Sequence, residues 1–142
     1  MSDSKPQSGH AIIAGFGVPG RMVAEILESR GTAYTVIEIN PTTANRACKP
    51  SRRFICGDAR DPEVLKNAGI DTASLLVIAI PDQSAALDAT RLARRLNASI
   101  RIITRTHFTS AGMEAKQLGA TDIVVAEQAV AREFARILPE HL

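Results

Sequence analysis

An apolar run, Ala11-Ile12-Ile13-Ala14, leads directly into Gly15-x-Gly17-x-x-Gly20. An amphipathic segment follows from Arg21 to Arg30, and then a second apolar run, Tyr34–Ile39, that carries Glu38. A strand that stops at glycine, opens a helix and is followed by an acid-bearing strand is the start of a Rossmann unit. Gly15 permits the tight turn, Gly17 lets the backbone come close to a phosphate, and Gly20 lets the helix pack against the strand. Phosphates then sit at the helix N-terminus, where unpaired N–H groups and the helix dipole favour negative charge. Glu38 lies 18 residues beyond Gly20, where a carboxylate accepts hydrogen bonds from ribose hydroxyls. The same charge repels a 2′-phosphate, and positions 39 and 40 carry Ile and Asn rather than Arg. A nucleotide with a free 2′-hydroxyl is therefore expected, and NADP is not.

The alternation continues to the end of the chain. The expected strands are His10–Ala14, Tyr34–Ile39, Arg53–Cys56, Ser74–Ile80, Ile100–Thr104 and Asp122–Val125. The first helix has Pro19 in its opening turn, carries Met22, Val23, Ile26 and Leu27 as an apolar stripe, and ends at Gly31. A short helix capped by Asn40 or Thr42 stops before Pro50, and one capped by Asp61 and opened by Pro62 closes at Gly69. Further helices are expected over Ser84–Leu96, from Phe108 or Thr109 to Leu118, and over Glu127–Leu138. Six short β/α units without internal linkers point to an α/β fold, a Rossmann-like doubly wound six-stranded parallel sheet of order 3-2-1-4-5-6. Its crevice falls at the carboxyl ends of strands one and four. Residues 1–9 read as a disordered leader or linker remnant, 10–138 as one domain, and 139–142 as a frayed tail.

Composition removes several alternatives. A net charge of +2 with scattered arginines, four Phe, one Tyr and no Trp argues against a nucleic-acid partner. The longest apolar runs are too short to cross a bilayer. Cys48 and Cys56 stand eight residues apart, which is neither a zinc nor a redox-pair spacing, and no metal site is expected. Cys56 reads as a small core residue and Cys48 as a helical, partly exposed one. His107, beside the fifth strand, reads as a satisfied loop histidine before it reads as a pH-sensitive group.

With all six units in view, the chain resembles the nucleotide-binding RCK or TrkA-N family, which regulates potassium channels and transporters. Ala11–Arg21 is similar to that family's first loop and Val36–Asn40 to its acid-bearing second strand. Gly57-Asp58-Ala59 resembles its GDA turn, Ile78–Pro81 the turn after strand four, and Ile103–Arg105 its strand-five arginine. Leu118–Val125 resembles the final strand, and the match covers residues 10 to about 138. Within the family, Ala11–Gly17, Ala79–Asp82 and Glu127–Arg132 are most similar to the cytosolic C-terminal domain of Kef-type potassium/proton antiporters. One departure is that Val18-Pro19 stands where many relatives carry an arginine that reaches the phosphates, with Arg21 just downstream. That leaves a mononucleotide open beside a dinucleotide.

The resemblance implies a non-enzymatic domain at the inner face of the cell membrane, working as a homodimer on a membrane-embedded potassium transporter or channel of the same or a separate chain. It implies an adenine nucleotide as ligand, AMP or NAD/NADH foremost, with ATP and ADP open. The site residues it implies are Gly15, Phe16, Gly17, Val18, Pro19, Gly20, Glu38, Ile39, Asp58, Ala59, Ile80 and Arg105. Asp58 equally suits an Asx bond that orients its own turn. Arg105 equally suits an ion pair, with Glu127 as a candidate partner. The rival class is the cofactor domain of an NAD-dependent oxidoreductase. Against it, no Tyr-x-x-x-Lys pair or His–Asp relay is present to move a proton, and no substrate domain follows residue 138.

Overall fold

A computed structural model describes residues 9–142, so the expected leader, apart from Gly9, lies outside the described residues. The elements are β1 (Ala11–Ala14), α1 (Val18–Ser29), β2 (Tyr34–Glu38), α2 (Pro41–Ala47), β3 (Arg53–Cys56) and α3 (Pro62–Asn67). They continue with β4 (Leu75–Ile78), α4 (Gln83–Leu96), β5 (Arg101–Thr106), α5 (Thr109–Leu118), β6 (Asp122–Val125) and α6 (Ala126–Ile137). All neighbours in the sheet run parallel, in the order β3-β2-β1-β4-β5-β6 expected from the sequence. The order reverses between β1 and β4, and that switch point opens a crevice at their carboxyl ends.

β1 at the centre of the sheet is covered on both faces, which is why it is continuously apolar. On one face Ile12, Ala14, Ile37, Leu76 and Ile78 pack with Leu65 of α3 and with Ala86, Ala89 and Ala93 of α4. On the other, Ala11, Ile13 and Val36 pack with Phe16 and with Ala24 and Leu27 of α1. Asn40 and Asp61 cap α2 and α3 through their side chains, and a proline opens each helix, as their residue types require.

Several expectations need correction. Cys56 is exposed, because β3 is an edge strand and Cys56 ends it. Cys48 is also exposed and caps α2 in an extended conformation rather than lying within the helix. On α1 the buried line is Gly20, Ala24 and Leu27. Met22 and Ile26, read as part of the core stripe, are 53% and 50% exposed. β4 stops two residues early, since the chain peels away after Ala79 N donates to Ala14 O at 2.7 Å. β5 extends to Thr106 because β6 pairs with Ile103–Thr106. The terminal residues continue from α6 as a 3-10 turn over Leu138–His141 rather than fraying at once.

α6 has no buried residue. Val130, Phe134, Ile137 and Leu138 are all exposed, Phe134 by 69%. Beside it, Met22, Val77, Ile103, Val124 and Ala129 line an apolar trough of about 430 Å³ on the face that α1 leaves uncovered.

Candidate nucleotide-binding cleft

The switch point shapes two adjoining cavities. One, of about 360 Å³, is lined by Gly15, Ile39, Asp58, Ala59, Arg60 and Ile80, among others. The other, of about 380 Å³, is lined by Phe16, Gly17, Val18, Pro19, Thr43 and Arg105, among others. Glu38, Asn40 and Pro81 border both, so the two form one cleft with Glu38 at its middle. Of the twelve residues expected at the site, eleven line this cleft.

Gly20, the twelfth, lies beneath it. A Cβ on Gly20 would overlap the Gly15 carbonyl oxygen, so this glycine is what allows α1 to start against the end of β1. Gly15 has φ +98°, and a Cβ there would stand 2.9 Å from the Ala79 carbonyl carbon. Gly17 is different. It caps α1 with no side-chain partner, and a Cβ built on it would meet nothing within 4 Å. Gly15 and Gly20 are demanded by the fold; Gly17 leaves open space at a helix N-terminus.

Glu38 ties the loop to the second strand. Its Oε1 accepts from Phe16 N at 2.7 Å and its Oε2 from Asn40 N at 2.9 Å. Each oxygen keeps a further lone pair able to accept another hydrogen bond. Phe16 contributes backbone only, since its ring is buried under the loop, edge-on to Phe54 at 5.2 Å between centroids. Ile39 and Val18, 61% and 75% exposed, flank the opening.

Asp58 is committed to Arg60. Its Oδ1 accepts from Arg60 N at 2.9 Å in an Asx bond, and its Oδ2 accepts from Arg60 Nη2 at 2.8 Å. The Arg60 hydrogen bond holds the Asp58 carboxyl below the usual carboxylate range. The turn is thereby fixed, and Arg60, unremarked in the sequence, becomes part of the cavity wall. Its signal was the carboxylate two residues upstream. Asn40 and Pro81 were missed as shared walls because their spatial meeting depends on β2 and β4 both ending at β1.

Arg105 makes no ion pair with Glu127 among the described residues, and its side chain faces the cleft and the apolar trough. His107 is satisfied as expected: its Nε2 lies 2.7 Å from Pro81 O, and its backbone N donates to Gln83 Oε1 at 2.8 Å. These bonds pin β5 to the turn after β4. Among the described residues no group of three or more His, Cys, Asp or Glu is arranged to hold a metal ion, and no helix is long and apolar enough to cross a membrane.

A 3-2-1-4-5-6 sheet with a glycine loop, an acid ending β2 and a cleft at the switch point defines a Rossmann-like domain of the nucleotide-binding type. More particularly, the chain belongs to the TrkA-N domain family, which it matches over residues 11–126. It is 35% identical over 115 residues to a protein described as a putative K(+) efflux antiporter KefB of Alkalimonas amylolytica, a match that covers 81% of this chain but 17% of that one. The TrkA-N domain of the inner membrane protein YbaL of Escherichia coli superposes with a TM-score of 0.86 at 28% identity, over 92% of this chain and 96% of that one. A Kef C-terminal domain of Shewanella denitrificans, solved in an AMP-bound form, gives 0.78 at 26% identity, over 91% and 80% of the two chains. The chain thus spans less than a fifth of the length of the antiporter relative.

Proposed function

We propose that this chain is a regulatory domain that binds an adenine nucleotide and controls a potassium channel or Kef-type potassium/proton antiporter from the cytoplasmic side of the membrane. The observation that carries the reading is the cleft centred on Glu38, with open space above Gly17 at one end and the Asp58–Arg60 turn at the other. Adenine fits between Ile39, Ile80 and the Gly57–Arg60 turn, ribose at Glu38, and the first phosphate at the start of α1. The AMP-bound state of a related Kef domain supports the same class of ligand. The domain works by binding rather than turnover, and a ligand shifts its partner's state only through its differential affinity for two arrangements.

Thermal denaturation with AMP, ADP, ATP, NAD, NADH and NADP tests this. At ~100 times its dissociation constant a ligand adds about 2.7 kcal/mol to stability. AMP and NAD are expected to raise the transition and NADP to fall short of NAD, because Glu38 opposes a 2′-phosphate. A response to NADP equal to that of NAD would refute the role given to Glu38, and silence to all six would refute the nucleotide reading.

The domain acts as a homodimer in this proposal. The uncovered row on α6 and the apolar trough it borders share Val130 and form one apolar surface, and a two-fold axis lets each copy cover the other's. Phe134→Asp is the variant that tests it. Sedimentation at micromolar concentration should give twice the 15.2 kDa chain mass for the parent and a single chain for Phe134→Asp with helical content intact. A parent that stays monomeric at high concentration would remove the dimer.

A further inference from the structure

A third cavity, of about 390 Å³, adjoins the cleft at Phe16, Gly17 and Thr43 and is lined by four cations, Arg21, Arg46, Lys49 and Arg52. No acidic side chain lines it. Glu28, outside the cavity, lies 3.2 Å from Arg52 Nη2 and 3.6 Å from Lys49 Nζ. One carboxylate against four cations leaves an excess of three positive charges. Arg52 is spent on the fold: it donates to Ala47 O at 2.9 Å and to the Tyr34 hydroxyl at 2.7 Å, and its guanidinium lies 4.9 Å from the Phe16 ring centroid. The side chains of Arg21 and Arg46 make no hydrogen bond or ion pair among the described residues. They come from different elements, the first turn of α1 and the last turn of α2, yet border the same space. Like charges gathered without a counter-charge repel, and an anion placed among them relieves that repulsion.

We propose that this cavity takes the outer phosphates of a nucleoside di- or triphosphate whose first phosphate sits at Gly17. The proposal rests on the nucleotide reading above and names the ligand more closely: ADP or ATP rather than AMP. Gly17 is the hinge of the argument, since it borders both cavities and has no neighbour within 4 Å of where a side chain would be. A phosphate chain passing over it from the ribose meets Arg21 and Arg46 next. Val18 and Pro19 offer no charge in the glycine loop, and the two arginines supply it from α1 and α2 instead.

Calorimetric titration of the full chain with AMP, ADP and ATP at low salt is the test. ATP should bind at least roughly tenfold more tightly than AMP, with ADP between, and the ratio should shrink as added salt screens the exposed arginines. In an Arg21→Gln/Arg46→Gln double variant the ATP-to-AMP ratio should fall to about one, whereas Arg101→Gln, at the opposite end of β5, should keep it. If AMP binds and ATP binds no better, or the ratio survives in the double variant, the outer-phosphate site is refuted while the nucleotide reading stands. If none of the three binds, the nucleotide reading fails and takes this inference with it.

Discussion

Gly17→Val should weaken nucleotide binding by roughly 100-fold and leave the fold intact. The valine side chain would enter the space over the N-terminus of α1, where nothing lies within 4 Å of the added Cβ. The backbone imposes no penalty either, since Gly17 has φ −78°, a value open to any residue. The side chain would occupy the place of the first phosphate and keep it from the N–H groups of the helix start. A loss of roughly 100-fold in affinity, about 2.7 kcal/mol, is expected. Calorimetric titration beside a melting curve measures both halves of the claim. Undiminished affinity in a folded Gly17→Val chain would show that phosphate does not lie over this glycine.

Gly20→Ala, three residues along, should do the opposite and cost the fold itself. Its Cβ would overlap the Gly15 carbonyl oxygen, and that oxygen belongs to backbone, which cannot swing aside as a side-chain tip does. Gly15 is itself held by a hydrogen bond from its N to Ile37 O at 2.9 Å, so the strand end cannot retreat without breaking the join to β2. α1 would have to lift from the sheet and open the packing of Ala24 and Leu27. A loss of about 3 kcal/mol or more is expected, in the range of severe core overpacking. Urea denaturation should show a much lower midpoint for Gly20→Ala than for Gly17→Ala. Equal midpoints would mean that α1 shifts at little cost. The expected contrast would separate a glycine required by a ligand from one required by the chain.

The fold was legible in the residues because its signals are local. Each strand is built on a short apolar run, and the starts of α1 to α4 carry a proline or a side-chain cap, as at Asn40-Pro41 and Asp61-Pro62. The right-handed crossover rule leaves little freedom in joining such units. The turn that ends β1 was equally legible, since Gly15 and Gly20 stand where a Cβ would meet backbone. The errors fell where burial depends on neighbours in space. Cys56 looked like a core residue because Phe54-Ile55-Cys56 is apolar, yet β3 is an edge strand with a single neighbour. Met22 and Ile26 looked like core because they continue a helical stripe, yet the face that α1 turns to the sheet carries Gly20, Val23, Ala24 and Leu27.

The sequence by itself determined the order of the elements, the turn at the end of β1 and the acid that closes β2, because those depend on residues adjacent along the chain. Only the tertiary structure decided that Glu38 spends two hydrogen bonds on Phe16 and Asn40, that Asp58 is held by Arg60, and that Arg21 and Arg46 share a cavity. It also decided that α6 keeps its apolar row uncovered. The physical reason is one of range. Turns, caps and strand runs follow from local steric and hydrogen-bonding preferences, whereas the partners of a charge or an apolar side chain are chosen by whichever distant segments the crossovers carry to the same edge of the sheet.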